Sequence, residues 1–197
     1  MCHRIPGLSR FGLYSQSKAQ LIKLCKHDDW RVRVEIAMYP RTPVDVLVKL
    51  SLDENEDVCE EVAKNPRTPI EALERITRFG SCRMQELVAR HPNTSPELLD
   101  QLSRSIYEDV RKEVAKNPRT PVDVLSRLSR DSLYYVCYCV ALNPNTPIDT
   151  LIQMSLFKNQ VDFGVIDYPV ERNPKWSDPK NQEKIKDAKY LIELGLV

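Results

Sequence analysis

The sequence predicts an all-α fold, an α-solenoid of 26-residue two-helix repeats, and three observations predict it. Pro40, Pro66, Pro92, Pro118 and Pro144 recur at 26-residue intervals. Apolar residues keep the same register. With each proline taken as position 0, position 7 reads Leu47, Leu73, Leu99, Leu125 and Leu151, and position 22 reads Val62, Val88, Val114 and Val140. Glycine is scarce (5) while proline is frequent (14), which suits punctuation between helices better than hairpins or flexible linkers. Self-similarity at a fixed period marks a stacked repeat array. A HEAT-like α/α superhelix is the second architecture this pattern allows.

A degenerate first repeat occupies residues 14–39, where Leu21, Leu24, Val32, Ile36 and Ala37 fill the apolar positions but the opening Pro-x-Thr is missing. Repeats then start at 40, 66, 92, 118 and 144. Each opens on a sequence such as Thr42-Pro43-Val44-Asp45, which has the form of a capping box with proline at the first helical position. Thr68/Glu71, Thr94/Glu97, Thr120/Asp123 and Thr146/Asp149 repeat it. The first helix is expected to end near position 11, with positions 4, 7 and 10 or 11 on one face. A second is expected from about position 14, behind Asp, Asn or Ser, burying positions 18, 22 and 23. It stops near position 24, because the residue before the next proline is driven out of the helical region. Helices of two or three turns do not persist alone, so each repeat depends on stacking against its neighbours.

The last repeat is irregular. Asn173-Pro174 follows Pro144 by 30 residues instead of 26, and a Gly- and Pro-broken apolar stretch, 161–170, replaces the second helix. Residues 1–170 are therefore read as the solenoid and 171–197 as a C-terminal capping segment. In that segment Asp178-Pro179 opens a helix with Ile185, Ala188, Leu191 and Ile192 along one side, and Gly195 is placed to end it. Trp176 stands where it can staple this helix to the preceding repeat.

The run Asn-Pro-Arg-Thr-Pro-Val-Asp-Val-Leu-x-x-Leu-Ser-x-Asp from Asn117 to Asp131, followed by Val-x-x-x-Val-Ala, resembles the leucine-rich repeat variant family. The resemblance extends over about residues 15–160. It implies a right-handed superhelix of alternating α and 3₁₀ helices without β-sheet, so the first helix of each repeat is expected to be partly 3₁₀. It implies no shared activity, because the family is defined by architecture. At least one member carries a cysteine-rich, iron–sulfur-binding N-terminus. No comparable cysteine cluster stands in this sequence, and no cofactor is expected.

Composition narrows the function classes. A net charge of +1 gives no global pull towards nucleic acid or a membrane. The start, MCHRIPGLSRFGLYSQ, lacks the apolar core of a signal peptide, and no stretch approaches the length of a membrane span. A cytoplasmic protein with reduced thiols and no membrane partner is the expectation. No Ser, Cys or Thr has a His and an acid arranged for nucleophilic catalysis, and there is no glycine-rich phosphate loop. The chain is read as non-enzymatic, with no small-molecule substrate. The nearest metal candidates are Cys2, His3, Cys25 and His27, which carry a third function reading, an N-terminal metal or iron–sulfur protein. Register offers a simpler account of two of them. Cys25 is at position 11, with Ser51, Thr77, Ser103, Ser129 and Ser155, and His27 is at position 13, with Asp53 and Asp131.

Two features point to a partner. Positions 9 and 12 carry Lys23, Lys26, Lys49, Arg75, Arg78, Arg104, Arg127 and Arg130, a basic rail suited to a phosphate backbone or an acidic protein tail. A second, shorter rail holds Arg41, Lys64, Arg67, Arg90, Lys116 and Arg119. Both rails fall at helix C-terminal turns, where cations complement the macrodipole, and Glu74–Arg78 and Asp100–Arg104 are spaced as i,i+4 pairs. The other feature is the run Tyr134-Tyr135-Val-Cys-Tyr138-Cys-Val-Ala-Leu142, apolar where other repeats are charged. A helix apolar all round is covered by something, either the 161–170 stretch or a partner gripping Tyr134, Tyr135 and Tyr138. The leading expectation is a protein–protein interaction scaffold whose partner is another protein. Nucleic-acid backbone binding through the basic rail is the alternative.

Overall fold

A computed structural model describes residues 17–79, 81–157 and 169–194. The chain divides into two compact units, residues 1–95 and 96–197. Unit 1 contains α1 (Lys18–Leu24), α2 (Trp30–Met38), α3 (Val44–Leu50), α4 (Glu56–Lys64), α5 (Ile70–Phe79) and α6 (Cys82–Arg90). Unit 2 contains α7 (Pro96–Leu102), α8 (Glu108–Lys116), α9 (Val122–Leu128), α10 (Tyr134–Leu142) and α11 (Ile148–Phe157). Two 3₁₀ turns, Val170–Arg172 and Pro179–Asn181, then lead to α12, Gln182–Glu193. No strand occurs among the described residues. The repeats that start at 14, 40, 66, 92 and 118 are each a helix pair, and in each unit the second helices stack, α2 on α4 on α6 and α8 on α10.

The core follows the apolar columns. Leu47 and Leu73 in unit 1, and Leu99, Leu125 and Leu151 in unit 2, are fully buried, as are Val62, Val88, Val114 and Val140. The first helices differ from the 3₁₀ expectation. They are α-helices, with three-residue closures only where the chain enters and leaves, as in Val46 N–H to Pro43 O and Asp53 N–H to Leu50 O. Second helices start at position 16, two residues later than the spacing predicts.

The expected capping box does not form. Pro43 and Pro121 occupy the N-cap of α3 and α9 and supply no side-chain bond. The threonine hydroxyl points backwards and donates to the carbonyl of position 22 in the preceding helix. Thr42 reaches Ile36 O, Thr68 reaches Val62 O and Thr94 reaches Val88 O at 2.5 Å. Thr120 and Thr146 bond Val114 O and Val140 O at 2.5 and 2.6 Å. The threonines are wholly or almost wholly buried, so their hydroxyls give a second hydrogen bond, inside the protein where water cannot, to carbonyls that already accept the N–H of position 25.

Position 25 ties one repeat to the next. Asn65 Nδ2 donates to Ala37 O and Tyr39 O at 2.7 and 2.9 Å, and its Oδ1 accepts from Arg67 N–H. Asn143 does the same to Ala115 O and Asn117 O, and Asn173 to Ala141 O and Asn143 O. His91 takes the asparagine's place in unit 1: Nε2 lies 2.9 Å from Asn65 O, and Nδ1 accepts from Asn93 N–H. Among the described residues no buried side-chain nitrogen or oxygen lacks a partner.

A longer period is superimposed on the repeat. Arg33, Asp53 and Cys59 in unit 1 correspond to Arg111, Asp131 and Cys137 in unit 2, each 78 residues on. In both units the guanidinium grips the next repeat's aspartate through Nε and Nη2, at 2.6 and 2.9 Å for Arg33 and 2.7 and 3.1 Å for Arg111. In both the thiol is directed at three carbonyls of the turn that the aspartate closes.

In the C-terminal segment Asp178 caps the Pro179 turn by accepting from Lys180 N–H. Ile185 is buried and Ala188 half-buried, but Leu191 is exposed, so the apolar side of α12 is narrower than the sequence suggests. Lys184 reaches Asp149 of α11 at 2.5 Å, and half-buried Trp176 carries Lys189 over its ring at 5.9 Å. Gly195 lies outside the described residues, as does most of the 161–170 stretch expected to cover the tyrosine helix. Its end is visible: Val170 is buried, and the turn it begins packs on α10 and α11.

Candidate functional site

The clearest surface feature is at the N-terminal ends of the second helices in unit 2. A helix start leaves backbone N–H groups without partners, and Asp, Asn or Ser normally answers them. Unit 1 does so for α2 and α4: Asp29 accepts from Arg31 N–H, and Asn55 from Asp57 and Val58 N–H. In unit 2 the same N-cap positions of α8 and α10 hold Tyr107 and Leu133, with no side-chain cap bond. These residues are not core. Tyr107 is 43% exposed and Leu133 36%, beside Ile106 at 86% and Tyr135 at 72%. An N-cap contributes about 1 kcal/mol, so two caps are given up for apolar side chains that face water.

The tyrosine helix is less covered than its composition suggests. Val136, Cys137, Cys139, Val140 and Ala141 of α10 are buried, Tyr134 and Tyr138 are half-buried, and Tyr135 and Leu142 are exposed. Tyr134 meets Tyr135 edge-on at 5.5 Å and Tyr138 at 5.9 Å, fixing an aromatic cluster with its outer ring free to make contacts. Of the three tyrosines the sequence singled out, Tyr135 is thus the exposed one. Ile106, Tyr107 and Leu133 escaped the sequence reading. A signal was present for two of them, because Tyr107 and Leu133 break the column that holds Asp29, Asn55 and Ser81.

The basic rail does not form a continuous free charge. In unit 1, Arg75 holds Glu71 at 2.5 Å and also donates to Val48 O. In unit 2, Arg104 and Arg127 both bind Asp100, at 3.3 and 2.5 Å, Arg127 adds a bond to Ser103, and Arg130 reaches Gln153. Lys23, Lys26, Lys49 and Arg78 are exposed and make no ion pair among the described residues. The shorter rail is partly spent as well, with Lys64 on Glu60 and Glu61, Arg90 on Glu86 and Lys116 on Glu113. Glu74 and Arg78 do not pair, whereas Asp100 and Arg104 do.

Of the metal candidates, Cys2 and His3 lie outside the described residues. Cys25 is buried and its thiol donates to Ile22 O at 3.1 Å, the bond that Ser51 makes to Val48 O and Ser129 to Ser126 O. His27 is exposed, and its Nδ1 accepts from Asp29 N–H. No group of three or more His, Cys, Asp or Glu side chains suited to a metal occurs among the described residues. Burial pushes the Cys25, Cys59 and Cys139 thiols above their ordinary range, away from thiolate chemistry. Among the described residues no helix is long and apolar enough to cross a membrane.

The family model described as leucine rich repeat variant matches residues 108–133, the span of α8, α9 and the turn leading to α10. Among solved structures the chain is similar to one described as a leucine-rich repeat variant with a novel repetitive protein structural motif. Identity is 25%, the match covers 91% of this chain and 74% of that one, and the TM-score is 0.61. No curated protein matches. Both findings are of the repeat family that the sequence resembles, and the helical-repeat fold is common to the two structures.

Proposed function

We propose that the protein is a non-enzymatic interaction scaffold that binds another protein through the apolar edge of unit 2, with Tyr135 at its centre and Ile106, Tyr107 and Leu133 around it. The observation that carries this reading is the exchange of polar helix caps for exposed apolar side chains at Tyr107 and Leu133. Such an exchange gives up a cap hydrogen bond while leaving part of each apolar side chain in water, and an aromatic side chain on a rigid helix end is a common anchor of protein interfaces. The thiols of Cys25, Cys59 and Cys139, none of them in a disulfide, fit a reducing, cytoplasmic setting.

The test separates binding from folding. Leu133→Asn restores a cap and Tyr135→Ala removes the exposed ring. Affinity capture with the double variant is expected to lose the partners held by the wild type, while the melting temperature stays level or rises. A large fall in melting temperature would instead assign these side chains to packing. A parallel titration of labelled single- and double-stranded nucleic acid addresses the rail. Binding that survives physiological salt and disappears in an Arg104→Glu/Arg127→Glu variant would replace the present reading with phosphate-backbone recognition.

A further inference from the structure

Unit 1 differs from unit 2 along the same positions of the repeat, and the difference surrounds a cleft. The cleft, of 340 Å³, opens between the turn joining α3 to α4 and the helices α5 and α6. That volume is at the lower end for ligand sites, enough for one or two side chains. Ile76 and Met84 form a buried apolar floor, and Leu52, 62% exposed, stands as an apolar wall. Two carboxylates, Glu54 and Glu56, line the mouth, both exposed and in no ion pair among the described residues.

The other charged groups that line the cleft are already engaged. Asp53 is held by Arg33, and Arg75 is spent on Glu71 and Val48 O. The Cys59 thiol is turned onto the carbonyls of Leu50, Ser51 and Asp53. What is left outside any ion pair is the negative charge of Glu54 and Glu56, above an apolar surface. Lysine and arginine side chains have the complementary build, an apolar stem with a cationic head. From this complementarity we infer that the cleft docks an arginine or lysine side chain presented by a basic peptide segment that also carries apolar residues. The stem lies on Leu52, Ile76 and Met84, and the head meets Glu54 and Glu56.

The corresponding positions of unit 2 lack this chemistry. Arg130, Ser132 and Tyr134 stand where Leu52, Glu54 and Glu56 stand, and Arg130 reaches across to Gln153 at 3.4 Å. The inference is independent of the apolar edge of unit 2, so either can fail alone. Because both carboxylates are exposed, attraction to the head is screened by salt, while the stem's contact with the wall is not.

Fluorescence anisotropy of the full chain with a fluorescein-labelled nonapeptide of alternating arginine and leucine tests the site. Binding is expected at low salt, reduced about tenfold by Glu54→Gln/Glu56→Gln and by a smaller factor by Leu52→Ser. Glu97→Gln/Asp123→Asn removes two exposed carboxylates from unit 2 and serves as the charge-matched control, expected to change affinity less than about twofold. Three results would each overturn the inference: no binding by the wild type, equal losses in the two charge-neutralised variants, or unchanged affinity in Leu52→Ser. Thermal unfolding of each variant confirms that the fold is retained, since all the substituted side chains are exposed.

Discussion

Position 25 shows how one side chain can hold two turns of chain together. Asn143 gives its amide N–H groups to two carbonyls of the preceding repeat, and its Oδ1 accepts the N–H of Asn145. Replacing it with alanine takes a donor from the Ala115 carbonyl and leaves Asn117 O with the Thr120 N–H, and a loss of about 2–3 kcal/mol is expected by urea denaturation. His91 takes the same place, reaching Asn65 O with Nε2 and accepting the Asn93 N–H at Nδ1, with a ring that can be protonated. Burial, opposed only by the Asn65 carbonyl, keeps its pKa below the ordinary value, and Nδ1 must stay bare to accept from Asn93. The unfolded chain therefore binds this proton more readily than the folded one. Stability is full above the ordinary histidine pKa, about 6.5, and falls as pH drops below it. Unfolding at pH 7.5 and at pH 5 should show that loss in the wild type and a smaller one in His91→Asn, which installs the residue used at Asn65, Asn143 and Asn173. The histidine's equivalence to asparagine was not legible in sequence, because it rests on two ring nitrogens matching an amide in space.

The helices themselves were legible, their ends less so. Apolar spacing located every pair, since Leu47, Val62 and their counterparts bury as their register demands. The caps misled, because Thr-Pro-x-Asp fits two hydrogen-bond patterns with the same residues. In one the hydroxyl answers the coming helix, and in the other it answers the helix just finished. Proline decides between them. It lacks an N–H and sits at the N-cap itself, so the threonine falls outside the new helix and its hydroxyl turns back. Thr120→Val should accordingly cost about 1 kcal/mol, and Thr120→Ser should restore part of it. Asp123→Ala, which would remove half of a capping box, is expected to change the midpoint of urea unfolding by no more than an exposed macrodipole interaction, about 0.5 kcal/mol.

At the scale of each unit, the charge pattern separates structural from available groups. Arg111 and Asp131 are mostly shielded from solvent and join successive repeats, as Arg33 and Asp53 do. Arg111→Met leaves the aspartate without its cation and is expected to lower unfolding free energy by about 3 kcal/mol. Arg104→Met removes a solvent-exposed pair and should cost less than about 1 kcal/mol. Sequence alone ranked Arg104 among the interesting residues and passed over Arg111, because a rail is visible as a column whereas a pair spanning 20 residues is not. The candidate site was half legible for a similar reason. Tyr135 stood out by composition, but Tyr107 and Leu133 acquire meaning only once they are seen to occupy helix caps.

The amide ladder also bears on how such a chain can change over generations. Its bonds run from a side chain to the main chain of the preceding repeat, so they ask little of the intervening sequence beyond its length. Asn173 still reaches Ala141 and Asn143 across a repeat four residues longer than the rest, so even length is negotiable between two joints. Loss of residues 118–143 by an in-frame genetic deletion would bring Asn173 to Ala115 and Asn117, the same pair of acceptors one repeat earlier. The ladder thereby makes the repeat a unit of inheritance, able to be copied or excised whole with its joints intact.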